Sequence, residues 1–575
     1  MSILAGLSKL INFSLLFTLF LSSAVLAQGL PENNRSNGAD VIEKKVLEEA
    51  EQELIPEATL PEYEEEKEDD VPVEGELQFL VTKIILEGNI LVNSDAFEPL
   101  IEPYENNKLT MKDLKKLAQL IENTYRSKGF ITSRVFIPPQ KVIDGVFRLQ
   151  IVEGKIGNVE IIGNKHFKKE QILSYSVLKK GKVLEYKDLI KTLEGMNSNP
   201  DRSAKAVLKR GKQKATSDVV FNIKDSFPMH LGASFDNQGN LSTGLKRFGF
   251  NARHNNLLGK DDILYTGTVF GKDFGVFFAQ YAYPLVQWGS RIIAGFSHAQ
   301  VSPKRDFASF GVNGISQTYF LRLVQPLIST NFFRLGFQVA GEMKDSRTKV
   351  LSGTFRKDAL QIIRFGPDMS FNSKWGKTNS SNLFSFGTKI FGGDTFLDPT
   401  GTTRVNTEAK FFKVSGTTSH YQRMPWGTQL SANVSYQYST DKLPSSEAFY
   451  LGGLNSVRGY PEGDYLADNG FYYNLEYLIP MVFIPWEWQL PFSEVPLKQQ
   501  IQFVSFLDQG YGRIRNASNR ERKWAHLMSV GGGLRIRLYK DLFARTEWAI
   551  PLGDRAITED INDRFRFHFR IQIEV

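Results

Sequence analysis

The stretch that most constrains this chain is "RFRFHFRIQIEV", residues 564–575, in which polar and apolar residues alternate without a break. Successive side chains of a strand point to opposite faces. Phe565, Phe567, Phe569, Ile571, Ile573 and Val575 therefore share one side, and Arg564, Arg566, His568, Arg570, Gln572 and Glu574 share the other. From Phe227 onward, short alternating segments of this kind recur between clusters of Gly, Asn, Asp and Ser. A soluble sandwich shows the same alternation on its core face. Against that alternative stand the charge of the opposite face and the 349 residues from 227 to 575, which have no helical pattern to cover them. At roughly 22 residues per strand and connection this length holds about 16 strands, an even number as single-chain outer-membrane barrels require. A closed barrel also leaves no backbone donor or acceptor unpaired in hydrocarbon. The expected fold class is mainly β, a transmembrane antiparallel β-barrel of about 16 strands over 227–575, preceded by two small α/β units and an N-terminal helix.

The N-terminus points to export. Lys9 precedes the apolar run "LINFSLLFTLFLSSAVLA", and Val25 and Ala27 supply the small residues of a cleavage site, so residues 1–27 are expected to be a signal peptide; an uncleaved anchor is the alternative. No later stretch approaches the ~18 continuous apolar residues of a spanning helix. The chain has no Cys, which removes disulfides, thiol nucleophiles and Cys-based metal sites. Its formal charge of +7 conceals an acidic leader, since residues 28–76 hold 4 Lys or Arg against 17 Asp or Glu. A basic body in an exported chain indicates a cationic lumen or groove; no nucleic acid partner is expected.

Within that leader, 28–55, "ADVIEKKVLEEAEQELIP" spaces Ile42, Val46, Ala50 and Leu54 four apart and stops at Pro56, the pattern of a narrow-striped helix. Residues 56–76 are acidic and contain Pro, and are expected to form an extended linker. Two related α/β units follow, 77–154 and 155–226: a slide of 75 positions lays Gly88 and Asn89 on Gly163 and Asn164, and Leu114 on Leu189. In the first, Thr110 and Asp113 have capping-box spacing, and Leu114, Leu117, Leu120, Ile121 and Tyr125 form one helical face that ends at Gly129. In the second, "YKDLIKTLEGMNSNP" reads as helix and "AKAVLKRG" and "SDVVFNIKD" as strands.

The motifs now resemble a known family, the two-partner secretion transporters (TpsB type) of the Omp85 superfamily, similar to the filamentous haemagglutinin and haemolysin outer-membrane transporters. The likeness rests on "IPPQ" and "DGVFRLQIVEG" in the first unit, "LEGMNSNPDRSAKAVLKRG" in the second, and "DNQGNLSTG", "NNLLGKDD", "SVRGY" and "FLDQG" in the barrel, in that order. It implies that the α/β units are periplasmic POTRA domains, 77–154 and 155–226, and that the leader helix plugs the lumen at rest. A disordered acidic tail is the alternative for the leader. It implies further that the loop carrying Val457, Arg458, Gly459 and Tyr460 folds back into the barrel, where its arginine pairs with Asp508 of the motif Phe506, Asp508, Gly510. An arginine suits that task because its planar fork meets a carboxylate with two parallel hydrogen bonds. The alternative is a solvated loop residue and one of many lumen carboxylates. In a water-filled lumen the pair would be screened toward the ~1 kcal/mol of exposed pairs.

The resemblance also implies a function: an outer-membrane transporter of a Gram-negative bacterium, not an enzyme, that recognises an unfolded exported partner through its POTRA domains and passes it through the barrel to the cell surface. The expected partners are a large secreted TpsA-like protein, outer-membrane lipid and periplasmic chaperones. The expected docking groove in the first unit is lined by Leu117, Ile121, Arg134, Val135, Phe136 and Ile137, which are also core candidates. The seven His residues are scattered with no metal spacing, and "VGGGLRIRL" lacks the lysine of a phosphate loop. No cofactor, no metal and no nucleotide are expected. The rival functions are an assembly factor for outer-membrane proteins on the same architecture, a passive porin and, more distantly, a membrane-embedded enzyme.

Overall fold

The computed structural model describes residues 39–53, 62–65, 78–285, 289–304, 311–330, 332–350, 353–389, 404, 407–485, 487–490, 495–519, 521–538, 542–558 and 565–575. The expected signal peptide and Leu54 lie outside them.

Sixteen antiparallel strands close into a barrel, from Met229–Asp236 to Arg566–Glu574, each bonded to its sequence neighbour in the barrel. The first and last strands seal it over Gly232–Asp236 against Arg570–Glu574. Leu231 and Val575 exchange both backbone bonds at one end of this seam (3.0 and 2.9 Å). At the other end, Asn237 donates to the Phe567 carbonyl (2.8 Å) and accepts from the Phe569 N–H (2.9 Å). The alternation in the last strand sorts as its chemistry requires: Phe565, Phe567, Ile571 and Ile573 face outward and exposed, and His568 is buried inside. Exposure of these residues to water would be costly, and hydrocarbon removes that cost.

Each α/β unit packs helices on a small sheet. In the first, the helix Met111–Ser127 starts with a complete capping box: the Thr110 side chain accepts from the Asp113 N–H (3.2 Å), and the Asp113 carboxylate accepts from the Thr110 N–H (2.9 Å). Leu114, Leu117, Ile121 and Tyr125 are buried on its inner face, with Leu120 only half-buried. The internal repeat has a physical basis at Gly88 and Gly163, which sit at φ +90° and +86°. A Cβ there would lie 2.4 Å from the Ile151 carbonyl oxygen in one unit and 2.5 Å from that of Ile223 in the other. Each turn passes too close to the neighbouring strand for any side chain.

The acidic segment expected to be a linker is not wholly unpaired. Glu62–Glu65 forms a strand that pairs in parallel with Arg202–Arg210, extending the sheet of the second unit. Composition predicted only that this segment cannot build a core; an edge strand needs backbone groups alone.

Two of the motifs quoted above meet where the second unit touches the barrel. Arg202, from "NSNPDR", makes a bidentate bond to Asp261, from "NNLLGKDD" (3.1 and 3.0 Å), with both side chains at or below 1% exposure. Asn199 donates to the Asn255 carbonyl (2.6 Å) and to Asp261 (2.9 Å), and Asn255 donates to Asp201 (2.8 Å). The Arg202 guanidinium lies over the rings of Phe167 and Tyr175. Asp261 sits at φ +58°, a left-handed conformation that Asp and Asn tolerate. Asp261→Asn therefore keeps the turn but strips a buried arginine of its counterion, a change of about 3–5 kcal/mol. We expect trypsin to cut within residues 155–226 of the detergent-solubilised variant much faster than in the wild type, while the barrel strands stay protected.

Candidate functional site in the barrel lumen

Between the strands Gln429–Ser439 and Asn469–Pro480 the chain makes an excursion, residues 440–468, that turns into the barrel. Phe449–Leu451 and Tyr465–Ala467 pair as a short antiparallel ribbon, and the tip between them carries Val457, Arg458, Gly459 and Tyr460. Arg458 donates from Nε to Asp508 Oδ2 (2.8 Å) and from Nη2 to Asp508 Oδ1 (2.5 Å), and its backbone N–H adds a third bond to Oδ2 (3.1 Å). The guanidinium also lies 3.4 Å from the Phe506 ring centre. The site is drier than a water-filled lumen implies, since Arg458 is 2% exposed and Asp508 0%. Screening is weak there, and removing one partner leaves a buried charge, at a cost of ~3–5 kcal/mol.

The neighbours of the pair were not legible in the motifs. The remaining Nη1 of Arg458 donates to Glu476 (2.7 Å) and Glu547 (3.0 Å). Arg535 bonds the same two carboxylates, at 2.7 and 2.9 Å through Nη2. Asn474 (2.9 Å) and Ser529 (3.2 Å) donate to Asp508, and His568 Nε2 donates to the Arg458 carbonyl (2.7 Å). Two guanidiniums and three carboxylates thus tie the loop to four strands, and His568 adds a fifth. Burial works against the charged Arg458, but Asp508, Glu547 and Glu476 outweigh it and hold its pKa above the ordinary arginine value. Charged residues at inward-facing positions were the available signal; strand register was needed to bring them together.

The other motif residues shape the contact. A Cβ on Gly459 would lie 2.8 Å from Ser529 Cβ and 2.9 Å from the Pro551 nitrogen, so this glycine is required by proximity of the wall. Gly510 leaves the space that Val457 and Leu451 fill, and Gly531 leaves that for the Phe506 ring. Tyr460 is buried among Val457, Leu451, Ala525 and Leu527, and its hydroxyl accepts from the Gly553 N–H (3.1 Å).

The excursion has a second anchor that sequence reasoning missed. Glu447, fully buried, accepts from Lys344 (2.8 Å) and Arg364 (2.9 Å) and pairs with Lys413 (2.7 Å), cations from three strands of the wall. Burial alone would raise its pKa; Arg364, Lys344 and Lys413 outweigh that and hold it well below the usual carboxylate range.

The N-terminal helix, Ala39–Glu53, lies in the lumen against the strands Phe274–Leu285, Ser290–Val301 and Asn313–Ser329. Val46 of the expected stripe is buried with Ala39 against an inward apolar patch that includes Tyr265, Val276, Phe278 and Ala299. The side chains of Ile42 and Ala50 lie outside the described residues. Among the described side chains of the helix, lysines as well as glutamates make the contact. Lys44 donates to the Ala448 carbonyl (3.0 Å) and Lys45 to Glu462, while Glu43 accepts from Ser297 and Glu48 from Tyr450. The helix bridges the barrel wall to the folded-in loop.

The residues of the expected groove in the first unit divide between core and surface. Leu117 and Ile121 are fully buried in the core, with Val135 and Ile137 packed against it and Arg134 half-buried; Phe136 is the exposed member. The Val135 N–H is already taken by Glu122 (2.8 Å).

A closed 16-stranded barrel that follows two α/β units and holds an inward-folded loop by an arginine defines an outer-membrane transporter barrel of the Omp85 type. The family described as haemolysin secretion/activation protein ShlB/FhaC/HecB matches residues 215–536, and the ShlB-type POTRA domain matches 79–154. The chain belongs to the ShlB/FhaC/HecB family of two-partner secretion transporters, located in the Gram-negative outer membrane with periplasmic POTRA domains. It is similar to the heme/hemopexin transporter protein HuxB of Haemophilus influenzae, 25% identical over 538 residues that cover 89% of this chain and 90% of HuxB. The solved structure of CdiB from Escherichia coli superposes with a TM-score of 0.67 at 20% identity, covering 96% of this chain and 100% of CdiB. BamA from Haemophilus ducreyi, lacking its first three POTRA domains, has the same fold at a TM-score of 0.54 and 11% identity, with 87% and 100% covered.

Two measurements probe the anchors. Arg458→Ala, Asp508→Ala and the double change should be strongly non-additive in raising the conductance of the barrel in planar bilayers, because either single change abolishes the same contact. Glu447→Gln should also raise conductance at neutral pH. Its pKa is held well below the usual carboxylate range, so this anchor is at full strength through that range and above it, and is lost as pH falls through the depressed pKa. Wild-type conductance should accordingly stay at its resting level between about pH 5 and 8.

Proposed function

We propose that the POTRA units capture an unfolded exported partner in the periplasm and that the barrel passes it to the cell surface once the N-terminal helix and the folded-in loop rearrange. The family transports a TpsA-type partner, and this reading assigns steps of that transport to parts of this chain. The observation that carries it is the filling of the lumen: two segments of the same chain occupy it, held by ion pairs, hydrogen bonds and two apolar clusters, one around Val46 of the helix and one around Val457 and Tyr460 of the loop. A stopper of this kind is removable, because each of its polar groups can exchange its partner for water as the lumen wets. A packed apolar core is not.

Sixteen strands enclose a lumen wide enough for an extended polypeptide or a single helix when these segments leave. Transport of this kind needs no nucleotide, and folding of the partner outside the cell would make passage irreversible. The Arg458 and Glu447 anchors would set the resting position of the loop, and their opposite signs would fix its orientation between an acidic and a basic wall.

An assembly factor is the reading to separate, since the fold is shared with BamA. Deletion of the gene should strand one large exported protein in the periplasm while the abundance of other outer-membrane proteins, followed by quantitative proteomics, stays within about twofold. Broad depletion of barrels would favour assembly instead. Removal of residues 39–53 should raise pore conductance severalfold; a passive porin would be indifferent to Arg458→Ala.

A further inference from the structure

The sheet of the second α/β unit runs in the order Glu62–Glu65, Arg202–Arg210, Thr216–Asp225, Lys155–Ile162. Its two edges differ. Along Lys155–Ile162 the start of the edge is covered, since Ile156 accepts from the Gly181 N–H (2.8 Å) and donates to the Lys182 carbonyl (2.7 Å). The other edge, Arg202–Arg210, is nine residues long and carries four residues that belong to neither unit, Glu62–Glu65, in register from Glu62 opposite Lys205 to Glu65 opposite Leu208. The equivalent edge of the first unit, Arg134–Phe136, is three residues long and has the Val135 N–H capped by Glu122. A β-strand edge is a template for another extended chain unless it is covered or blunted. Among the described residues, the long edge of the second unit is covered by a strand from outside the unit, Glu62–Glu65.

We propose that Arg202–Arg210 is the edge to which an extended, acidic segment of the secreted partner adds in parallel, and that Glu62–Glu65 is an internal competitor occupying it at rest. This rests on the capture reading above and moves its site from the first unit to the second. The chemistry of the segment follows from the present occupant and the strand it pairs with. The occupant reads "EYEE", and the receiving strand supplies Lys205, Lys209 and Arg210 on exposed positions, while Ala204, Ala206 and Leu208 face the core beneath the helix Tyr186–Met196. Backbone bonds supply the affinity, and cations along the edge select for acidic side chains. Eight residues, 54–61, join the competitor to the lumen helix. The two occupancies are therefore covalently linked, and departure of the helix from the pore and release of the edge favour each other.

The chain contains no Cys, so Tyr63→Cys with Ala206→Cys, a register pair, introduces the only two thiols. Two probes report on the purified full-length protein in detergent: a fluorescein-labelled peptide of residues 58–69, "ATLPEYEEEKED", and reduced, carboxymethylated α-lactalbumin, an acidic polypeptide that cannot refold. Tyr63→Pro with Glu64→Pro should tighten peptide binding by at least about tenfold, the factor expected when the competitor holds the edge nine-tenths of the time. The oxidised cysteine pair should lose the peptide and most of the α-lactalbumin binding, and dithiothreitol should restore both. Reversing Lys205 and Lys209 to Glu should weaken both probes in the proline variant, a readout that a folding defect alone would not confine to acidic ligands. If α-lactalbumin binds the oxidised and reduced forms equally, the edge is not the docking site and capture elsewhere stands. If it binds no form while the peptide behaves as expected, the capture reading itself is overturned, and this inference with it.

Discussion

A sheet closed on itself in hydrocarbon must put its charged side somewhere, and the only wet place is the lumen. Everything functional in this chain follows from that constraint. Strands that alternate charge with apolar side chains line the interior with Arg, Lys, Asp and Glu, and such a wall is stable only where its charges are paired or hydrated. In this barrel they are paired, largely through an inserted loop. Arg458 meets Asp508, Glu476 and Glu547 on one wall, and Glu447 meets Lys344, Arg364 and Lys413 on another. The loop neutralises two opposite patches at once, which fixes both its position and its direction.

The same chemistry sets how readily the lumen empties. A buried ion pair offers little net stabilisation over an apolar contact, yet breaking it by removing one partner is costly. In the intact protein, water can replace both partners together, so clearing the loop means wetting its charges as well as exposing the apolar cluster of Leu451, Val457, Tyr460 and Tyr465 against Ala525 and Leu527. The N-terminal helix fits this pattern. Among its described side chains, its apolar contact is a small patch around Val46, and its polar attachments include Glu43 to Ser297 of the wall, Lys44 to the Ala448 carbonyl and Lys45 to Glu462 of the loop. Helix and loop share partners, so displacement of one weakens the hold on the other.

The periplasmic side is built by different rules. The second POTRA unit is fixed to the barrel through the buried Arg202 and Asp261 pair, supported by Asn199 and Asn255. This rigid junction places the strand Arg202–Arg210 close to the barrel, and the acidic strand Glu62–Glu65 lies along its free edge. Docking edge, competitor and pore are therefore held in one assembly, joined by the tether that runs to the lumen helix.

Strict alternation in residues 564–575 marked a strand, the charged opposite face and the long run of such segments after Phe227 pointed to a barrel, and the capping box at Thr110 and Asp113 with the paired Gly-Asn turns at 88 and 163 marked two repeated α/β units, because backbone periodicity and turn geometry are local properties of sequence. The pairing partner of Arg458 was legible only through family motifs, and its other partners were not legible at all. Glu476, Arg535 and Glu547 look like any inward-facing charges until strand register brings them together. Glu447 lacked even a motif. Position in a closed sheet is set by the cumulative pairing of sixteen strands, and the same is true of the acidic segment at residues 62–65, whose composition forbade a core but could not reveal that a distant sheet edge was waiting for it. Local pattern fixes which face a residue takes; only closure of the whole barrel decides which residue stands opposite.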